Sequence, residues 1–294
     1  MTRVLVTGAT GYIGRHAVAA LQRRGHEVVA VGSAQADLLA PDGPERAVAA
    51  AGADTLLHLA WYAEHGRFWT APENLDWVGA SLRLLRAFAA AGGRRAVMAG
   101  SCAEYGWDGL DGPCVEGVTP LAPATLYGAA KHATHVAAAS YAAQEGVGLA
   151  WGRVFFSFGP GEAPGRLVAA VARGLLAGED VPVSEGSQVR DFIAVEELGD
   201  AFAALVASDA EGAVNVASGR GVPVRDVVAM VARETGREDL VRPGALPARP
   251  DDPPLLVADA GRLEREAGWR AREPLEDGIA RAVRWWREGA RGNR

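Results

Sequence analysis

Val4-Leu5-Val6-Thr7-Gly8-Ala9-Thr10-Gly11-Tyr12-Ile13-Gly14 is the stretch on which the fold turns. A short apolar strand, Val4–Thr7, runs into a turn built on glycine. A helical pattern then extends from about Tyr12 to Arg24 and is closed by Gly25. Glycine here permits a tight turn and lets backbone N–H groups approach a diphosphate at a helix N-terminus. The spacing is G-x-x-G-x-x-G rather than G-x-G-x-x-G. Its place at the first strand–helix junction is the context a dinucleotide fingerprint requires. Gly8, Thr10, Gly11, Tyr12, Ile13 and Gly14 are therefore the expected cofactor cradle.

Outward from this loop, strands are expected at Val28–Val31, Thr55–Leu59, Arg95–Ala99 and Leu149–Phe156. Helices near Pro44–Ala51, Glu73–Ala91 and Thr125–Gln144 separate them. Such βαβα order implies an α/β fold, a doubly wound parallel sheet of the Rossmann kind with both faces covered. After about Pro160 the texture changes. Helices at Arg166–Leu176, Val195–Val206 and Val224–Thr235 alternate with a loop holding Pro182 and Gly186, a strand at Ala213–Ala217 and a Pro-rich stretch, Pro243–Pro254. Two helices close the chain. The expected division is a dinucleotide-binding domain at 1–160, to which 188–210 return, and a smaller interleaved substrate lobe at 161–187 and 211–294.

The ends of the strands speak to the cofactor. NAD-binding sheets usually place an acid at the end of the second strand, but here the chain reads Gly32-Ser33-Ala34, with no carboxylate until Asp37. Ser33 and Arg15 are candidate partners of a 2′-phosphate, which sets an expectation of NADP(H), with NAD as the alternative. Arg15 reads equally well as a solvated first-turn residue. Asp37-Leu38 is read as closing a third strand near the adenine, and Leu59-Ala60 as backbone lining the cofactor. His58 is either a packed strand-end histidine or a chemical group.

Bulk composition excludes several classes. The 294 residues are 49% hydrophobic and carry a net charge of −6 with both signs mixed along the chain. No basic nucleic-acid surface and no polybasic membrane anchor stands out. No apolar run reaches the roughly 18 residues needed to cross a bilayer. No leader-like segment precedes Val4, so a cytoplasmic location is expected. Cys102 and Cys114 are too few for a disulfide framework and form no metal-spaced cluster.

The chain contains a single lysine among 30 basic residues, four positions after a tyrosine in Tyr127-Gly128-Ala129-Ala130-Lys131. Arginine supplies every other positive charge, so this position calls for a compact ammonium rather than a fork. Four residues apart on a helix, Tyr127 and Lys131 share one face. A phenol ordinarily ionises near pH 10, and a neighbouring ammonium is expected to lower that value toward general acid–base work. Ser101 follows the Arg95–Ala99 strand at the carboxyl edge of the sheet and completes a proton-transfer set.

These residues resemble the extended short-chain dehydrogenases/reductases that act on nucleotide-linked sugars, the 4-epimerases and 4-ketoreductases among them. The resemblance covers nearly the whole chain. It rests on the Gly8–Gly14 loop, Ser101, Tyr127, Lys131 and Arg153 through Gly159-Pro160, and on Gly186-Ser187-Gln188-Val189-Arg190-Asp191-Phe192-Ile193. Arg249-Pro250-Asp251-Asp252, Ala258-Asp259 and Gly268-Trp269 continue it. It implies that Arg190, Arg249 and Asp252 hold the diphosphate and ribose of a nucleotide-diphosphate sugar, and that helices 73–91 and 125–144 form a homodimer. There are departures. Phe156 stands where the family often carries a sugar-diphosphate-contacting asparagine, and Trp77 replaces an asparagine of the preceding helix. Dehydratases of this fold carry Asp-Glu after the hydroxyl residue, where this chain has Cys102-Ala103. Cys102 is also one position too early for the cysteine of combined epimerase–reductases, and reads as a small buried thiol.

Expected, then, is an NADPH-dependent reductase of a nucleotide-linked 4-keto-6-deoxy sugar. Tyr127 gives the proton, Lys131 holds the nicotinamide ribose and tunes Tyr127, and Ser101 polarises the carbonyl. The alternatives are a 4-epimerase with tightly bound NAD and a non-catalytic NAD(P)-sensing protein. Trp61, His65, Cys102, Ala103 and Trp107 are the expected sugar-side residues. The aromatic run Trp61–Trp69 either lines that pocket or packs a long loop on the sheet.

Overall fold

Strands and helices alternate strictly through the first half of the chain: β1 (Arg3–Thr7), α1 (Gly14–Arg23), β2 (Glu27–Val31), α2 (Gly43–Ala51), β3 (Thr55–His58), α3 (Glu73–Ala90), β4 (Arg95–Ser101), α4 (Leu126–Glu145) and β5 (Gly148–Val154). Next come β6 (Phe156–Phe158), α5 (Leu167–Ala177), β7 (Val181–Pro182), β8 (Val189–Ala194), α6 (Val195–Val206) and β9 (Gly212–Val216). The last elements are β10 (Gly221–Pro223), α7 (Val224–Thr235), β11 (Val241–Arg242), β12 (Leu255–Leu256), α8 (Gly261–Ala267) and α9 (Leu275–Gly292). This computed structural model describes residues 2–247 and 252–292.

The main sheet is parallel, in the order β2-β1-β3-β4-β5-β9. Alternation along each strand sends successive side chains to opposite faces. Val4, Val6, Leu57, Val97 and Val214 meet Leu21 of α1 and Phe202 of α6 on one side. Leu5, Leu56, Met98 and Trp151 meet Leu84, Phe88 and Ala138 from α3 and α4 on the other. Strand addition changes direction between β1 and β3, and in such sheets ligands bind outside the carboxyl ends at that point.

Two expectations are corrected here. No strand forms at Asp37-Leu38. Gln35 takes the Gly32 N–H at 3.0 Å, the Ala40 N–H bonds the Asp37 carbonyl, and a Cβ at Gly43 would fall 1.7 Å from that same oxygen. The segment is a succession of tight turns with no extended backbone to offer a ladder. The Leu149–Phe156 run also divides. β5 ends at Val154, and β6 leaves the sheet to pair with β8, Phe156 opposite Phe192. β8 lies in a smaller sheet between β10 and β12. Over it α5, α7 and α9 bury Val168, Leu175, Val227, Val231 and Ile279. No described helix is long and apolar enough to cross a membrane.

Candidate active site

The glycine loop is shaped for close backbone approach. Gly8 has φ 71°, a left-handed conformation that strains any side chain, and a Cβ there would lie 2.7 Å from the Ala60 nitrogen. A Cβ at Gly14 would fall 2.0 Å from the Gly8 oxygen. Among the described residues the Tyr12 and Ile13 N–H groups find no backbone acceptor, and the first turn of α1 holds no acid. Unpaired N–H groups at the positive end of a helix suit a diphosphate, so these residues fit a dinucleotide.

One cavity of about 1820 Å³ joins this cradle to the rest. Gly8, Thr10–Gly14, Ser33, Asp37, Leu38, Leu59 and Ala60 line it, with Ser101, Tyr127 and Lys131. So do Trp61, His65, Cys102, Trp107, Arg190 and Asp252. Arg190 and Asp252 form an ion pair at 2.5 Å. Arg249 lies outside the described residues. Arg15 and Ala103 do not line the cavity. The Arg15 Nε bonds back to the Gly11 carbonyl at 3.4 Å, and its guanidinium lies against Gly161. Ala103 is buried with its carbonyl against Gly128, where a Cβ would fall 2.1 Å away, so it docks the turn after β4 onto α4.

Ser101 is both the last residue of β4 and the cap of a short turn, Cys102–Glu104. Its Oγ accepts the Ala103 N–H at 3.2 Å, while Glu104 Oε1 accepts the Ser101 N–H at 2.8 Å. This reciprocal arrangement is a capping box. Glu104 is fully buried, and it also takes Trp151 Nε1–H at 2.8 Å and Arg153 Nε–H at 3.0 Å. Arg153 donates on to the Tyr105 hydroxyl at 3.2 Å, which donates to Asn215 at 2.8 Å. A satisfied polar network of this kind rigidifies what it supports, and here it supports the serine.

Tyr127 and Lys131 stand one turn apart near the start of α4, which Thr125 caps by accepting the Gly128 N–H at 3.1 Å. Lys131 donates to the Ala99 carbonyl at 2.8 Å and lies 3.7 Å from the centroid of the Trp61 ring. Burial draws its ammonium down to about 7, with Glu104 opposing. Burial pushes the Tyr127 phenol above its ordinary value, and the Ser101 hydroxyl is the main influence pulling it back. Lys131, which the sequence pairs with this phenol, is held by the Ala99 carbonyl and the Trp61 ring.

Phe68 and Trp69 meet the Tyr127 ring edge-on at 4.9 and 5.8 Å, and Trp69 meets Trp107 at 6.2 Å. The aromatic run therefore lies over the reaction centre. His65 closes against Gly165 of the loop after β6. His58 is buried between Thr7 Oγ1 at 2.7 Å and Ser81 Oγ at 2.9 Å, and burial lowers its value to about 3. That is a packed, neutral imidazole. Burial pushes the Cys102 thiol up to about 12, which leaves it protonated at neutral pH. Sequence reasoning missed Glu104, although S-x-x-E just after a strand is a readable capping signal. It also missed Asn74, whose partners Trp61, Phe68 and Ala71 lie in the loop just before it and meet it only once that loop has closed.

Lys131 gives a signed expectation for stability. Its folded value of about 7 lies below the ordinary ammonium value near 10.4. The unfolded chain thus binds the extra proton between those limits, and stability rises with pH across that window. Urea unfolding of wild type and Lys131→Met should show the wild type gaining on the variant from about pH 7 to about pH 10. A difference independent of pH contradicts the burial of this charge.

The NAD dependent epimerase/dehydratase family model matches residues 4–217. The chain is 30% identical to the UDP-glucose 4-epimerase of Corynebacterium glutamicum over 300 residues, 91% of this chain and 90% of that one. It is 27% identical to dTDP-6-deoxy-L-talose 4-dehydrogenase (NAD(+)) of Aggregatibacter actinomycetemcomitans, over 85% of this chain and 96% of that one. The fold superposes on the UDP-glucose 4-epimerase of Thermus thermophilus, crystallised in complex with NAD, with a TM-score of 0.86 at 28% identity, covering 97% and 99% of the two chains. The matched span holds the glycine cradle and the serine, tyrosine and lysine at the carboxyl edge of the sheet. The chain belongs to the NAD dependent epimerase/dehydratase family and is an enzyme of the extended short-chain dehydrogenase/reductase type.

Proposed function

We propose that the protein interconverts hydroxyl and ketone at carbon 4 of a nucleotide-linked hexose and acts as an NAD-dependent 4-epimerase. The observation that carries this is the presence of Ser101, Tyr127 and Lys131 on the wall of the cavity that also holds the glycine cradle. A bound nicotinamide supplies the two-electron acceptor and donor. Tyr127 takes the proton of the carbon-4 hydroxyl as the sugar is oxidised and returns it on reduction. Ser101 holds the reacting oxygen, and Lys131 shares the cavity wall with Tyr127 one helical turn away. Arg190 and Asp252 hold the nucleotide portion, guanidinium to phosphate.

Cofactor and partial reaction follow from neighbouring side chains. The case for NADP(H) joined Ser33 to Arg15, and Arg15 lies against Gly161, while Asp37 puts a carboxylate on the cavity wall. These placements favour NAD. Removal of water from the sugar needs an acid–base pair after Ser101, and a protonated thiol and a methyl group offer none. Phe68, Trp69 and Trp107 line the cavity with apolar rings, a surface with few directional hydrogen bonds, which lets a keto-sugar turn and be reduced from its other side. A second reading, 4-keto-6-deoxy-sugar reduction, is favoured by Phe156, which lines the same cavity and offers an apolar neighbour for a methyl group.

Incubation with NAD or NADPH and a panel of UDP- and dTDP-hexoses decides. Interconversion of 4-epimers without net cofactor consumption is the expected result. Stoichiometric oxidation of NADPH by a 4-keto sugar establishes the second reading, and silence on every sugar contradicts both. We also propose a homodimer formed through α3 and α4, where Leu75 and Val136 are 61% and 57% exposed. Sedimentation should show twice the chain mass, and a single-chain mass contradicts it.

A further inference from the structure

Asn74, at the start of α3, is completely buried, and every polar atom of its side chain is used. Its Oδ1 accepts the Trp61 indole N–H at 2.8 Å. Its Nδ2 donates to the Phe68 carbonyl at 2.7 Å and to the Ala71 carbonyl at 2.8 Å. One amide thus ties the beginning of the aromatic loop to its end. The loop so closed sets the Trp61 ring face 3.7 Å from Lys131 Nζ, with Trp77 behind it at 6.2 Å. At its other end the Trp69 carbonyl accepts the Tyr127 N–H at 3.1 Å. Lys131 is only 4% exposed, and Trp61 is what stands over its ammonium.

We propose that Asn74 and Trp61 are positioning residues: Asn74 latches the aromatic loop shut, and the latched Trp61 ring fixes and dehydrates the Lys131 ammonium beside Tyr127. The proposal rests on the reading of Tyr127 and Lys131 as the catalytic pair. An indole face attracts a cation and excludes water from it at the same time. The charged and titratable neighbours of Lys131 are Glu104 from the turn after β4, neutral His58 from β3 and Tyr127 from its own helix. The loop's own charged residues, Glu64 and Arg67, are exposed and pair with each other. Control over Lys131 from the loop side therefore falls to the indole. Dehydration is the largest influence on this ammonium, so opening the latch should let its proton affinity rise.

A single lysine in the chain makes the test direct. Protein carrying ¹³C at lysine Cε gives one signal, whose pH titration reports Lys131 without substrate, cofactor or turnover. The wild-type signal is expected to titrate near pH 7. Asn74→Leu and Trp61→Ala should both move it by about 2 pH units or more toward the ordinary value near 10.4. Trp61→Phe, which keeps a ring face but loses the N–H that Asn74 holds, should give a shift between those of wild type and Trp61→Ala. Should the leucine variant not fold, Asn74→Ser takes its place. A wild-type signal already near 10.4, or variants that titrate with the wild type, overturn the proposal. Loss of activity in Tyr127→Phe tests the catalytic reading on its own, so the two can fail separately.

Discussion

Tyr127→Phe is expected to lower kcat by about 10²–10⁴-fold, the contribution of a well-placed general acid–base group, while the melting temperature stays close to wild type. The two halves of this expectation have separate causes. The packing of this residue is carried by its ring, edge-on to Phe68 and Trp69, and phenylalanine keeps that ring. What is lost is the hydroxyl beside Ser101, which alone can move a proton to or from the sugar oxygen. KM should change little, because the hydroxyl's largest interaction is with the transition state. Turnover and thermal unfolding measured on the same preparation check it. Loss of activity together with loss of fold would mean that Tyr127 is a structural residue.

The second large effect lies behind the serine. Arg153→Met is expected to destabilise the fold by about 3–5 kcal/mol, because it leaves the carboxylate of a wholly buried Glu104 without its guanidinium. Arg153 and Glu104 are 1% and 0% exposed, with Nε to Oε2 at 3.0 Å. Solvent cannot make up for the missing partner. Glu104→Gln combined with Arg153→Met removes both charges and should recover much of the loss, since a buried pair replaced as a pair is often close to neutral. Denaturant unfolding of the single and double variants separates the two cases. If the double variant is as unstable as Arg153→Met alone, the stranded carboxylate is not the cause.

The parts of this molecule that could be read from its sequence are those dictated by neighbours in the chain. The helices at Val195–Val206 and Val224–Thr235 carry the same limits in the structure as in their hydrophobic pattern, and the glycine loop lies at the junction its spacing indicated. Tyr127 and Lys131 share a helix face because four residues make about one turn. What the sequence hid depends on how the chain turns back on itself. Asp37-Leu38 reads as the close of a strand until Gln35 and Gly43 are seen folding the segment back. The partner of Lys131 is a ring far earlier in the chain, at Trp61, and that ring is placed by an asparagine whose three bonds exist only once the loop has closed. Arg15 carries two readings, a phosphate partner and a solvated first-turn residue. Its residue type suits a phosphate, but its backbone position on α1 commits it to Gly11 and Gly161.

At the centre of the account is the claim that a carbon–hydrogen bond at carbon 4 is broken in this cavity while Tyr127 moves the proton of the attached oxygen. Turnover of a nucleotide-linked hexose carrying deuterium at carbon 4, compared with its unlabelled twin, measures that most directly. The account predicts slower turnover of the deuterated sugar, with the label found in the 4-epimer or on the nicotinamide and never in water. Equal rates with deuterium appearing in solvent would contradict it.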